Sequence, residues 1–170
     1  SDRPVAAAVR TLTAVGIRVS LFIDPDRDQL LAARSVRAPV VELHTGTYAD
    51  ALGAEQAAEL ERLHDAAVFG HDLGLQINAG HGLHLENVQP VARLPFMTEL
   101  NIGHSIISRA VLVGIERAEK LYERVFFDYG DDSVAQLGGV RLDSGDRLVE
   151  LRTQRCVVEP VDSGSGADSQ

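Results

Sequence analysis

Two patterns of hydrophobic and polar positions alternate over the first 118 residues of the chain. Short runs rich in β-branched residues, such as VSLFI at 19–23, precede longer Ala- and Leu-rich segments with apolar residues every three or four positions. The first pattern is typical of buried strands and the second of amphipathic helices. The sequence predicts strands at 17–23, 40–45, 75–78 and 98–102, helices at 4–15, 53–73 and 86–93, and further helices beginning after Asp26 and near Ser105.

Strand, loop and helix repeat in units of about 25 to 30 residues, which indicates an α/β fold built from parallel βα units. In such folds the loops that bind ligands follow the carboxyl ends of the strands. The polar turn at 24–26 comes after the first strand, where an Asp side chain is suited to cap the next helix.

The amino-acid composition excludes some classes of binding partner. The chain holds 16 Lys and Arg against 25 Asp and Glu, a net charge of −9, so nucleic acid and anionic membranes are not expected partners. Small anions remain possible, because backbone amides can hold them locally. The longest apolar runs fall far short of the roughly 20 residues that span a bilayer. The single Cys156 cannot form an internal disulfide, which fits a reducing compartment but also any other, and the cytoplasm is the default expectation for the location.

Polar side chains follow the apolar part of four successive strands. Taken alone, each of them is explained as a capping or turn residue. Because parallel strands end at one edge of a sheet, four such ends together favour a binding or catalytic site. The residues are Asp24, Glu42, His44, Asn78, His81, Asn101 and His104.

The segments NAGHG (78–82) and NIGHS (101–105) each place a glycine beside a histidine at a step from strand to helix. Amides at a helix amino terminus bind phosphate, and glycine lets the anion approach closely. A neighbouring histidine is suited to proton transfer, and Glu42 could stabilise positive charge. The competing interpretation is a zinc site. It has no HxxxH or CxxC spacing in its support, so no metal is expected at His44, His81, His84 and His104.

Four ordered motifs closely resemble those of pyridoxine 5'-phosphate synthase. They are VSLFIDPD (19–26), VELHTGTYAD (41–50), GLQINAGHGL (74–83) and ELNIGHSIISRAV (99–111). The resemblance covers about residues 5–118 and implies the carboxyl-terminal half of a TIM (β/α)8 barrel, strands five to eight. The family condenses 1-deoxy-D-xylulose 5-phosphate with 3-amino-2-oxopropyl phosphate in vitamin B6 biosynthesis, without a metal or an organic cofactor.

The resemblance also implies roles for five residues. His81 corresponds to the proton donor and Glu42 to the group that stabilises the transition state, so these two are the candidate catalytic residues. Gly82 corresponds to a substrate-binding glycine, and Gly103 with His104 to the pair that contacts phosphate. Small phosphorylated substrates and a homo-oligomeric assembly are the partners that the family implies.

The first half of the family's barrel, including its other proton acceptors, has no counterpart in these residues. We therefore expect the chain to be inactive unless a partner supplies strands one to four, since a whole barrel needs about 250 residues. The alternative is a non-catalytic half-barrel that binds small phosphates or serves as an assembly module.

The amino-acid sequence after Arg117 differs from that of the family. Residues 117–140 resemble a short segment of flavin-dependent thymidylate synthases, which leaves a nucleotide-modifying flavoprotein as a third and weaker hypothesis. The predicted organisation is a half-barrel at 1–118, a helical extension at 119–140 and an irregular or disordered tail at 141–170, rich in Ser, Gly and Asp. The join is interpreted either as a rearranged or truncated reading frame or as a natural extension.

Overall fold

Strands and helices alternate along most of the chain in the computed structural model, which describes residues 3–127, 136–137 and 159–160. The helices are α1 (Arg3–Ala14), α2 (Arg27–Ser35), α3 (Gly46–Asp50), α4 (Gly53–Asp72), α5 (Val88–Ala92), α6 (His104–Val113) and α7 (Ile115–Phe127). The strands are β1 (Ile17–Arg18), β2 (Ser20–Ile23), β3 (Val40–His44), β4 (Gln76–Gly80), β5 (Met97–Asn101), β6 (Gln136–Leu137) and β7 (Glu159–Pro160).

The main sheet has the order β2-β3-β4-β5-β6, and every neighbouring pair in it is parallel. The short strand β1 instead pairs antiparallel with β7. Four consecutive βα units side by side confirm the predicted α/β class and are consistent with part of a TIM barrel. Because β2 to β5 are parallel neighbours, their carboxyl ends lie at one edge of the sheet.

The two faces of the sheet differ in polarity. Val41, Leu43, Ile77 and Leu100 are fully buried in a core cluster shared with residues of α2, α4, α5, α6 and α7. Residues between them in sequence, among them Glu42, belong to the opposite face, because side chains alternate along a strand. The sheet therefore buries one apolar face under helices and carries polar groups on the other.

Close packing of α4 on the sheet depends on a glycine. The buried positions of α4 are Leu63, Ala66, Ala67 and Gly70, which recur at helical spacing. A Cβ at Gly70 would lie 2.6 Å from the Cδ1 of Ile77, so the missing side chain lets helix and strand approach.

Three local features differ from the prediction. The strand at 17–23 is divided at Val19 into β1 and β2, which belong to different sheets. Strand β4 continues to Gly80, so Asn78 lies within the strand and not after it. The short helix α3 was not predicted, because five residues carry too little periodicity to reveal a helix. The predicted cap is confirmed: the Asp26 carboxylate accepts hydrogen bonds from the amides of Asp28 and Gln29.

The helix predicted to begin near Ser105 is two helices, separated at Gly114 with a φ of 85°. Helix α7 then continues through Arg117 to Phe127, and Tyr122 is 1% exposed in the main core. The sequence change after Arg117 therefore does not interrupt the helix. Residues 138–158 and 161–170, which include nearly all of the predicted tail, lie outside the described residues. Within the described part of the chain, no helix is both long and apolar enough to cross a membrane.

Candidate active site

The two Gly-His pairs line the same cavity, which has a volume of about 610 Å³. His81 and Gly82 follow β4, whereas Gly103 and His104 follow β5 at the start of α6. Strands β4 and β5 are parallel neighbours, so both turns leave the sheet at the same edge. The fold thus brings together four of the five predicted site residues.

The amino terminus of α6 lines this cavity. Among the described residues, no side chain caps this end of the helix. The first amides of a helix have no partner within it, and the helix dipole adds partial positive charge there. Gly103 precedes them with a φ of −111°, so its role concerns the space beside the amides and not an unusual backbone angle. This end of α6 is chemically suited to a phosphate group.

The cavity contains residues that sequence reasoning missed. Ser105, Ser108, Arg109 and Leu112 line it from α6, and Tyr122 lines it from α7. The α6 residues recur every three or four positions, so the helical period could have revealed them once His104 was placed at the helix start. Tyr122 had no comparable sequence signal, because its position depends on how α7 packs against α6. The remaining lining residues are Leu83, His84, Leu85, Glu86, Asn101 and Ile102.

A chain of hydrogen bonds fixes the wall formed by α6 and α7. The Tyr122 hydroxyl donates to the Oγ of Ser105 at 2.8 Å, and Ser105 in turn donates to the carbonyl of Leu83 at 2.7 Å. Burial raises the pKa of Tyr122, so its hydroxyl remains protonated and available as a donor. Both helices are therefore tied to the segment that follows His81 and Gly82.

Glu42 is the fifth predicted residue, and it lies one strand away on β3. It does not line the cavity, but the side-chain amide of Asn101 donates to its Oε2 at 2.8 Å, and Asn101 does line it. Burial, with repulsion from Glu99, raises the pKa of Glu42 to about 7, although the bond from Asn101 opposes this rise. Near neutral pH, Glu42 can therefore both accept and release a proton.

A glycine provides the space for this carboxylate. A Cβ at Gly80 would overlap the Oε1 of Glu42 and would lie 2.9 Å from the carbonyl oxygen of Asn101. The glycine that precedes His81 therefore allows β3 and β5 to bring Glu42 and Asn101 together across β4.

Asn78 belongs to the polar face of the sheet and not to the cavity. Its side-chain amide donates to Glu99 at 3.2 Å, and its Oδ1 accepts a hydrogen bond from Gln76 at 3.0 Å. Arg18 donates to the side chain of Gln76 in turn. These bonds join β1, β4 and β5, so Asn78 organises the sheet.

Asp24 and His44 form a second cluster at the same edge of the sheet. The Nδ1 of His44 lies 3.4 Å from the Oδ1 of Asp24, and its ring centroid lies 4.9 Å from that of His81. Phe22 packs edge-on against His44 at 5.2 Å. Neither Asp24 nor His44 lines the cavity, although His44 contacts a residue that does.

The zinc hypothesis finds no geometric support among residues for which side chains are described. There, no three His, Cys, Asp or Glu side chains come together in a way that could hold a metal ion.

Comparison with known proteins identifies the family. The family model of the pyridoxal phosphate biosynthesis protein PdxJ matches residues 1–127. The chain belongs to the PdxJ family. This match ends at the last residue of α7, about ten residues beyond the region in which the resemblance was recognised. No finding supports the resemblance of 117–140 to thymidylate synthases, which stays a prediction.

Curated relatives named pyridoxine 5'-phosphate synthase are similar to this chain. The protein of Idiomarina loihiensis is 55% identical over 115 residues, which cover 67% of this chain and 48% of the relative. That of Neisseria meningitidis is 52% identical over 124 residues, or 72% of this chain and 51% of the relative. That of Photobacterium profundum is 56% identical over 115 residues, which cover 67% of this chain and 47% of the relative. The chain thus spans about half the length of the curated relatives it matches.

Proposed function

We propose that this chain supplies the phosphate-binding and proton-donating half of a pyridoxine 5'-phosphate synthase. The observation that carries the proposal is that one cavity is lined by all four of the residues His81, Gly82, Gly103 and His104. Membership of the PdxJ family and relatives of that name support the same reaction.

The proposed substrates are 1-deoxy-D-xylulose 5-phosphate and 3-amino-2-oxopropyl phosphate. Gly103 and His104 at the start of α6 would hold a phosphate group, and Gly82 would contact the substrate beside it. His81 would donate a proton to a departing oxygen, while Glu42 would stabilise the positive charge that develops as the imine forms. An ionised Glu42 is required for that last role, so its raised pKa limits the role to neutral and higher pH.

The chain covers about half of its relatives, so the proposal assigns turnover to an assembly that contains the rest of the barrel. Phe22 is 54% exposed at the edge strand β2, which supports an assembly in which another segment or another copy of the chain covers that edge. Small phosphorylated substrates and a single cysteine are consistent with the cytoplasm as the location.

Reconstitution tests the proposal. The chain would be mixed with the separately expressed amino-terminal half of the Neisseria meningitidis relative, and formation of pyridoxine 5'-phosphate would be followed by chromatography. We expect product from the wild-type mixture and none from the mixture with His81→Ala. The wild-type chain and the His81→Ala variant should bind inorganic phosphate about equally. A proven complex without product would favour the alternative, a half-barrel that binds phosphate without turnover. If His81→Ala lost phosphate binding to the same extent as product formation, that result would contradict the role of His81 as a proton donor.

A further inference from the structure

We propose that Thr45 is the positioning residue that holds His81 in its working orientation. The inference rests on the proposed function of His81 as proton donor, but the contacts that carry it are made by side chains outside the predicted site. They concern the backbone of the turn that presents the imidazole to the cavity.

The turn after β4 has an unusual backbone. His81 has a φ of 85° and Gly82 a φ of 74°, so two successive residues lie in the left-handed region. Glycine adopts this region freely, but a residue with a Cβ rarely does so, and it persists only where the surroundings enforce it. Some contact must therefore hold His81 against its own conformational preference.

Thr45 makes that contact. Its side chain is fully buried, and its Oγ1 lies 2.7 Å from the carbonyl oxygen of Gly80 and 2.6 Å from that of His81. The single hydroxyl proton is shared between the two carbonyls. The backbone amide of Thr45 also donates to the carbonyl of Gly80 at 2.9 Å. One residue thus holds the peptide groups on both sides of the His81 Cα.

The helix that begins after Thr45 packs against the same turn. The position where Gly82 would carry a Cβ lies 2.6 Å from the Cβ of Ala49. A Cβ at Gly46 would come within 3.1 Å of the His81 ring, so Gly46 leaves room for the imidazole. Helix α3 therefore packs against the turn on the side where the Thr45 hydroxyl donates its hydrogen bond.

A second side chain completes the support from beyond the turn. The side-chain amide of Asn87 donates to the carbonyl of Gly82 at 3.2 Å, and Tyr48 of α3 donates to the carbonyl of Asn87 at 2.7 Å. Gly82 is thus held by Asn87, which α3 also fixes, whereas the carbonyl of His81 has Thr45 as a described side-chain donor. Among the side-chain donors described for this turn, the Thr45 hydroxyl is the one that reaches the carbonyl of His81.

The decisive variant is Thr45→Val, which keeps the shape of the side chain but removes the donor. Thr45→Ser keeps the donor. Thr47→Val is the matched control, since it replaces threonine by valine at an exposed position of α3. In the reconstituted enzyme we expect Thr45→Val to lower kcat by about 10- to 100-fold with little change in KM, because a misplaced proton donor slows chemistry more than binding. Thr45→Ser should restore most of the rate, and Thr47→Val should match the wild type.

A spectroscopic measurement on the full chain separates this inference from the proposed function. The backbone ¹³C shifts of His81 report its positive φ, and they should change in Thr45→Val but not in Thr45→Ser or Thr47→Val. This outcome would support the positioning role even if the reconstituted wild type made no product, a result that would count against the proposed function alone.

Two results would overturn the inference: unchanged His81 shifts in folded Thr45→Val, or equal damage to kcat in Thr45→Val and Thr45→Ser. Should Thr45→Val fail to fold, Thr45→Cys replaces it, because a thiol has a similar size but is a weak donor. We then expect a kcat between those of the wild type and His81→Ala, and a wild-type kcat would overturn the inference.

Discussion

At the scale of single residues, the candidate site depends on groups that a sheet interior normally excludes. Glu42 and Glu99 lie on the polar face of the sheet, close enough for their repulsion to help raise the pKa of Glu42 to about 7. Asn101 offsets part of this cost through its hydrogen bond and also lines the cavity. A carboxyl group held in this way titrates within the range at which the proposed proton transfers occur.

The raised pKa has a consequence for stability. In the unfolded chain Glu42 titrates near 4.5, whereas in the fold it titrates near 7, so the folded state binds the proton more tightly. The stability that protonation contributes is fully present below pH 4.5 and is lost as the pH rises through 7. We expect Glu42→Gln, which stays neutral, to exceed the wild type in unfolding free energy by on the order of 2 kcal/mol at pH 8, with a much smaller difference at pH 4.

Urea unfolding at the two pH values measures this difference. Glu61→Gln is the control, because it makes the same chemical change at an exposed position in the middle of α4. A wild-type stability that rises between pH 4.5 and 7 relative to Glu42→Gln would contradict the burial of a protonated carboxyl group.

Gly103 provides a test of the proposed phosphate position. Its φ of −111° is accessible to any residue, so Gly103→Val changes the space beside the α6 amides with little strain in the backbone. We expect the valine side chain to exclude the anion and to weaken phosphate affinity by about tenfold or more, measured by calorimetric titration. Gly114→Ala is not a suitable control, because Gly114 has a positive φ. Ser35→Val is the control, because it introduces a valine at an exposed helix end that is far from the cavity residues in sequence. Unaltered phosphate binding by Gly103→Val would exclude this position.

At the scale of elements, periodicity predicted most of the helices and strands that frame the cavity. Long amphipathic α4 and the buried strands β3 and β5 have strong patterns, so their predicted limits fall within one or two residues of the observed ones. Helix α3 was missed, although it supports the His81 turn, because a five-residue helix is defined by its tertiary contacts. The motifs predicted five candidate site residues, and the helical period of α6 would indicate Arg109, whereas Thr45 and Tyr122 become visible only when the elements are packed.

The joint between α6 and α7 illustrates this dependence on packing. The Tyr122 hydroxyl donates to Ser105, which also donates to Leu83 at the cavity wall. We expect Tyr122→Phe to lower the unfolding free energy by about 1 kcal/mol, because a buried hydrogen bond is lost while the ring remains. A double-mutant cycle with Ser105→Ala should give a coupling energy of similar size, measured by urea unfolding. Independent effects of the two changes would show that α7 is held by apolar packing alone.

At the scale of the whole molecule, one face of the sheet is covered by helices and the other carries polar groups and an exposed aromatic ring. Phe22 is 54% exposed on the edge strand β2, beside His44 and His81. In a closed barrel this face would line the interior, and every strand would have two neighbours. The chain spans about half the length of its relatives, and an open edge strand of this kind favours association with another barrel segment or with another copy of the chain.

Association without a partner half can be measured directly. If copies of the chain cover one another's β2 edge, the apparent mass in solution should exceed the 18.3 kDa of one chain, and the unfolding midpoint should rise with protein concentration. Phe22→Ser should weaken both effects, because it removes the exposed ring from the edge. Phe96→Ser is the matched control: Phe96 is 47% exposed but precedes β5 at the opposite end of the strands. A monomer whose midpoint is independent of concentration would show that the half-sheet is stable with its edge open, and association would then require the other half of the barrel.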